Sequence, residues 1–365
     1  MIGESETNYL DIPHDLMREY PISRVSLRLQ RISEVLLLNS NLLDNSGLLN
    51  GRIGISIFFY HYSRFTAEEI YESYAGELVD AVYAEIDSQT PIDFVNGLTG
   101  IGWATEYLVQ NGFVEGDTNE VLENIDYKVG QSLLDHSLTE SINHVIGFGF
   151  YYLSRYKGQS VHGDNPFFLS VKRQLSVVAE ICVKLINRRT NPEILFSNIG
   201  TLNLLIHLII EIEQLGLMRE RHMIFDHLVL YIENMLIRKD SVMQEIRLLQ
   251  FQAERIVSII SDRELIIRYQ GIVALIERHI SMRTENVIET VDNFVLASIH
   301  SLLYGIGIER FHKEYSKYYH RVASVICDEN NWNIHLSRRN RGTLGLANLT
   351  GLALALLNSE YYEAG

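Results

Sequence analysis

The 365-residue chain carries 31 Lys+Arg against 46 Asp+Glu, a formal charge of −15 at pH 7, and its hydrophobic fraction is 47%. That balance argues against nucleic acid or an anionic membrane as partner, because phosphate binding needs a cationic surface, and it leaves enough apolar material for a large core rather than wholesale disorder. The first twenty residues lack a cationic region followed by an apolar one, and no apolar run approaches ~18 residues, so neither a secretory signal nor a membrane span is expected and the chain reads as cytoplasmic.

Two cysteines, Cys182 and Cys327, sit in apolar helical contexts without metal-ligand spacing and read as buried thiols. Five prolines in the whole chain leave long stretches free to be helical. Residues 1–20 read as an irregular lead-in. From Ser23 to Leu38, Val25, Leu29, Ile32 and Leu36 fall on one face and predict an amphipathic helix. Asn45 to Ser63 then gives Asn50, Gly51 and Gly54 followed by an apolar run, and Ala67 to Ile86 is a second amphipathic helix.

The stretch DFVNGLTGIGWATEYL from Asp93 to Leu108 repeats the device, with Asn96, Gly97 and Gly100 opening a helix apolar around most of its circumference. Glycine is expected there for left-handed backbone angles or for close approach of another group. Asp117 and Glu120 resemble a cap and its partner ahead of a helix on Val121, Ile125, Val129 and Leu133. SINHVIGFGFYYLSRY, with Asn143 and Gly147, follows, and then a polar loop and a helix to about Leu185. LFSNIGTLNLLIHLII keeps Gly200 in the place of the second glycine.

An amphipathic helix from about Arg219 to Arg238 precedes IRLLQFQAERIVSII, in which both glycines are gone. Glu264 to Met282 precedes FVLASIHSLLYGIGIERF, and Phe311 to Cys327 precedes a basic loop, Arg338, Arg339 and Arg341, and RGTLGLANLTGLALALL. Taking Gly51, Gly97, His144, Ser197, Ala253, Ser301 and Asn348 as the first-glycine places gives steps of 46, 47, 53, 56, 48 and 47 residues. Turn, apolar helix and amphipathic helix, repeated seven times, predict an all-α fold in one domain over residues 1–365. The expected architecture is an α/α toroid of about seven helical pairs, closed by the N-terminal helix as outer partner of the seventh unit, with the turn motifs around a cavity at one end.

DFVNGLTGIGWATEYL and LGLANLTGLALALL resemble the G-x-x-G turns of the lanthionine synthetase C family, the cyclases that close thioether rings in lanthipeptides. The resemblance spans essentially the whole chain and implies a zinc ion held by two cysteines and one histidine, which would bind the substrate cysteine as thiolate. It also marks departures. Aligned on the family's R-L-A-W-C-Y-G pattern from Arg247, Phe251 stands at one cysteine place; Ile299 stands at the other, beside a retained His300, and Phe196 replaces a further histidine. No cofactor is therefore expected.

Asp93 matches an acidic cavity residue of the family and Arg247 an arginine, so Asp93, Arg247 and His300 are the candidate cavity or peptide-binding residues. Each also has a structural reading: a turn cap for Asp93, an ion-pair partner for Arg247, and an interior hydrogen-bonded imidazole for His300 and for His144. The resemblance implies a peptide or a modification enzyme as partner, and a peptide-binding or scaffolding role without catalysis. Alternatives are an active thioether-forming cyclase, a peptide-modifying enzyme using Asp93 and His300 as acid and base, and a glycan-acting toroid using Asp93 with Glu254.

Overall fold

The computed structural model describes residues 21–159, 166–188, 198–218, 221–236, 243–282, 287–304, 322–330, 332 and 344–363. The lead-in 1–20, Phe196, Ser197 and the basic loop around Arg338, Arg339 and Arg341 lie outside them. The described residues contain helices and no strand. In chain order these are α1 (Pro21–Asn39), a 3-10 turn (Ser40–Leu42), α2 (Arg52–Thr66), α3 (Glu69–Glu85), α4 (Leu98–Gln110), α5 (Thr118–Val121), α6 (Glu123–Ser132) and α7 (His136–Thr139). They continue with α8 (Ile142–Gln159), α9 (Pro166–Arg188), α10 (Ile199–Gln214), α11 (Arg221–Leu236), α12 (Met243–Ile259), α13 (Arg263–Ser281), α14 (Val287–Tyr304) and α15 (Leu349–Glu363).

The apolar helices make a ring. α2 packs on α4, α4 on α8, α8 on α10, α10 on α12, α12 on α14, α14 on α15, and α15 returns to α2. Around them lies a second layer, with α3 on α2, α6 on α4, α9 on α8, α11 between α9 and α13, and α13 on α12. α1 covers α15, which is the closure the periodicity predicted, and Val25, Leu29, Ile32 and Leu36 are its buried face. Inner helices with neighbours on both flanks and a layer outside must be apolar nearly all round, as α2 shows: Ile53 to Tyr60 is buried without a break.

The turns ahead of the inner helices are stitched to one another. Ala347 N–H donates to Leu49 O at 2.9 Å and Leu49 N–H to Val95 O at 3.0 Å, so the seventh, first and second turns lie side by side. Neither first glycine is left-handed: Gly51 has φ −131° and Gly97 φ −126°. Glycine is required there by close approach. A Cβ on Gly97 would run into the carbonyl of Pro91, and one on Gly100 into the carbonyl of Phe94.

The fifth and sixth units differ from the equal-spacing register. Gly51, Gly97 and Asn348 immediately precede α2, α4 and α15, whereas α12 begins at Met243, ahead of Ala253, and α14 at Val287, ahead of Ser301. Phe251 and Ile299 therefore sit more than two turns inside their helices, not at the turns. Both units have lost the glycines that mark where an inner helix starts, so nothing local fixed the register. The long helix expected after Asp117 is also divided: Asp117 caps α5 through the Asn119 N–H at 2.8 Å, a new helix starts at Glu123, and Val121 is exposed.

One buried polar hub ties this ring to its outer layer. Arg155 on α8 is fully buried and pairs with Glu106 of α4, itself 1% exposed. Its remaining donors reach Asp126 of α6 at 2.7 Å, Thr118 Oγ1 at 3.0 Å and Asn119 Oδ1 at 3.1 Å of α5, and its guanidinium lies 4.5 Å from the Phe167 ring of α9. Five helices converge on one cation. Removing one partner of such a pair strands a buried charge, which costs ~3–5 kcal/mol. Arg155→Met is expected to lose stability on that scale, read from the urea midpoint; an unchanged midpoint would show that the hub is dispensable.

Candidate functional site

Inside the ring, α10 presents Asn203, His207 and Glu211 at helical i, i+4 spacing toward α12. Asn203 Nδ2 donates to Glu245 Oε2 at 2.7 Å and to its backbone carbonyl at 2.8 Å. Across the next interface, His300 Nε2 of α14 lies 3.3 Å from Glu245 Oε1. Glu245 is thus a buried carboxylate held by two neighbouring helices. Burial pushes its pKa up, but the His300 charge and the hydrogen bonds from His300 and Asn203 outweigh that and hold it below the usual range. Gly200 makes room for it, since a Cβ there would crowd Glu245 Oε1.

One turn along, Arg255 of α12 donates to His207 Nδ1 at 2.9 Å and to Glu211 Oε1 at 2.8 Å. His207 is buried and its pKa falls to about 3, with burial the leading cause, so it is neutral at pH 7 and its 3.9 Å approach to Glu211 is no ion pair then. Its ring lies 4.3 Å from that of Tyr304 and 5.8 Å from that of Phe150, and Phe150 and Tyr304 are themselves 6.1 Å apart. These residues belong to α10, α14 and α8. Because α8 and α14 are not ring neighbours, the aromatic rings meet across the lumen. Tyr304 Oη, Asn203 Oδ1 and Gln252 Nε2 are buried there without protein partners.

Of the residues singled out from sequence, His300 enters this lumen network. Asp93 serves its own turn, where Oδ1 accepts the N–H groups of Val95 at 2.9 Å and Asn96 at 2.8 Å. Arg247 is half-buried on α12, and His144 lies in the first turn of α8 with Nδ1 buried and unbonded. Glu254 is exposed on α12 beside Gln250, so the second carboxylate of a glycan-cleaving pair does not face a shared cavity with Asp93. Glu245, Asn203 and His207 were missed. For Asn203 and His207 the signal was present, as polar residues inside LNLLIHLII, a run otherwise apolar enough to demand a partner for each; Glu245 stands in MQEIRLLQ, where half the residues are polar, and had no such signal.

The family's zinc does not fit these residues, and the reason is independent of register. Phe251 packs against the core and Ile299 is buried in it; neither offers a donor atom. The two cysteines are elsewhere: Cys182 is fully buried in outer helix α9, its thiol pushed up to about 12 by burial, and Cys327 lies in the helical stretch between α14 and α15. Among the described residues no three His, Cys, Asp or Glu side chains are placed to share a metal.

An open pocket of about 630 Å³ lies at the turn end, between the first two turns. Asn45 and Asn50 donate from Nδ2 to Asn96 Oδ1 at 2.8 and 3.2 Å and make its floor, and Asp44, Glu85 and Asp87 line its side.

A closed helical ring with glycine-marked turns at one end defines an α/α class of protein. Residues 43–165 match the family model described as Lanthionine synthetase C-like protein, and over that segment the chain is similar to that family. No curated protein matches the chain. No helix of the described residues is long and apolar enough to cross a membrane.

The buried imidazoles set an acid response. His207 at about 3 and His61 at about 4, both lowered chiefly by burial, stay neutral in the folded chain while the unfolded chain takes up protons near 6.5. Stability contributed by this neutrality is present above 6.5 and declines as pH falls toward 4. His207→Gln with His61→Gln is expected to flatten the decline in urea midpoint between pH 6.5 and 4, and an equally steep decline in that variant would assign the acid limb to other groups.

Proposed function

We propose that this protein is a lanthionine synthetase C-like component of ribosomal peptide modification that binds or positions a peptide without zinc and without closing thioether rings. The observation that carries the reading is the placement of the cysteines. A zinc site that activates a thiol needs three protein ligands and an open position, and neither Cys182 nor Cys327 is on an inner helix. The aromatic contact of Phe150, His207 and Tyr304 across the lumen supports it, since these rings stand where a substrate would cross that level. The open pocket between the first two turns supports a binding role. We place the protein in the cytoplasm, with a peptide or its modification enzyme as partner.

A second reading has one observation behind it. Glu245 orienting His300 is a carboxylate–imidazole arrangement suited to general base chemistry, and a peptide-modifying enzyme would use it. Both side chains are buried beneath Tyr304, so this reading also requires the aromatic contact to open.

Metal analysis and a cyclisation assay separate these readings from an ordinary cyclase. The purified protein is expected to carry far less than one equivalent of zinc and to give no thioether from a dehydrated cysteine-containing peptide. Stoichiometric zinc, with ring closure abolished by a chelator, would contradict the proposal.

A further inference from the structure

The pocket between the first two turns has a composition that selects its occupant. Its walls come from four places in the chain: the end of the 3-10 turn, the turn ahead of α2, the loop after α3 and the turn ahead of α4. Asp44, Glu85 and Asp87 line it, and no lysine, arginine or histidine does. Arg52 pairs with Glu85 from a buried position behind the wall and offsets one of the three charges. Asp87 Oδ1 accepts the Gln89 N–H at 2.8 Å, which fixes the loop with its second oxygen still available, and Asp44 is exposed.

The floor adds hydrogen-bonding capacity of a different kind. Asn96 Oδ1 is used by Asn45 and Asn50, which leaves the Asn96 Nδ2 donor and the Asn50 Oδ1 acceptor to an occupant. One donor and one acceptor at neighbouring positions match the C=O and N–H of an extended backbone. Leu42, 76% exposed at the pocket edge, and Leu43 supply apolar surface beside them. The volume, about 630 Å³, lies in the range of small-ligand and side-chain pockets.

We propose that this pocket binds a basic peptide segment: a lysine or arginine side chain against Asp44 and Asp87, its backbone on Asn50 and Asn96, and an adjacent apolar side chain on Leu42. The proposal rests on the peptide-binding reading above and names the chemistry of the peptide. Charge complementarity selects the occupant: Lys128 sits behind the loop, donating to the Asp87 carbonyl at 2.6 Å, but the lining itself presents the Asp44 and Asp87 carboxylates and no cation to meet an anionic segment.

The test uses the full-length chain and a capped pentapeptide with lysine at its centre flanked by leucines. Controls carry glutamate or acetyl-lysine at that position, and binding is measured by isothermal titration. The lysine peptide is expected to bind most tightly, to weaken at least ~fivefold in Asp44→Asn with Asp87→Asn, and to weaken as salt is raised from about 0.05 to about 0.5 M. Asn keeps the acceptor oxygen that caps the Gln89 N–H, and an unchanged thermal midpoint confirms that the variant is folded. Equal binding of the three peptides, or binding indifferent to the substitutions, overturns the cationic site while leaving peptide binding in place. Binding of none of them at millimolar concentration overturns both.

Discussion

The constraint on which the structure depends is that an apolar helix must be covered on every side, and the inner helices meet it only by closing on one another. The contact of α15 with α2 completes the circle. It is made at close quarters: Ala347 bonds Leu49, Leu346 packs where a side chain on Gly54 would have to sit, and a Cβ on Gly351 would meet Val295 of α14 and the Leu346 carbonyl. Hydrophobic burial drives this closure, and glycine lets turns and helices approach to backbone contact. An open stack of the same units would expose an entire apolar flank at each end.

Closure has consequences for polar groups. Side chains that face the lumen or the helix interfaces cannot reach water, so each must find a partner or remain a cost. Arg155 recruits four other helices, Glu245 recruits Asn203 and His300, and Arg255 joins His207 to Glu211. Tyr304 Oη, Asn203 Oδ1 and Gln252 Nε2 are among the buried polar atoms of the described residues that lack a protein partner. The same geometry sets aromatic rings and paired polar groups against one another across the lumen, while the turn end, where four chain segments meet without covering one another, holds open space.

Much of this was legible in the sequence because the repeat is written in residues with strong local meaning. Asn-Gly turns at 50–51 and 96–97 and the apolar runs after them located α2 and α4, and the 25, 29, 32, 36 spacing located α1 and its buried face. The reason for the glycines was not legible, since a sequence does not distinguish left-handed angles from a neighbouring carbonyl. The register of α12 and α14 was lost with their glycines: once punctuation is gone, equal spacing is a poor substitute for packing. Phe251 and Ile299 were thereby read at turns when they lie in helix interiors. The partnership of Glu245 with His300 spans two helices distant in sequence, and no local pattern encodes it.

Ring closure can be tested by removing residues 344–365, which deletes α15 and nothing else among the described helices. In a closed ring this exposes the flanks of α2 and α14 together and uncovers α1, so the truncated chain is predicted to lose the cooperative thermal transition of the full chain. A truncated chain that unfolds cooperatively at the same midpoint would contradict the account, because it would mean that the remaining helices form a stack that never needed to close.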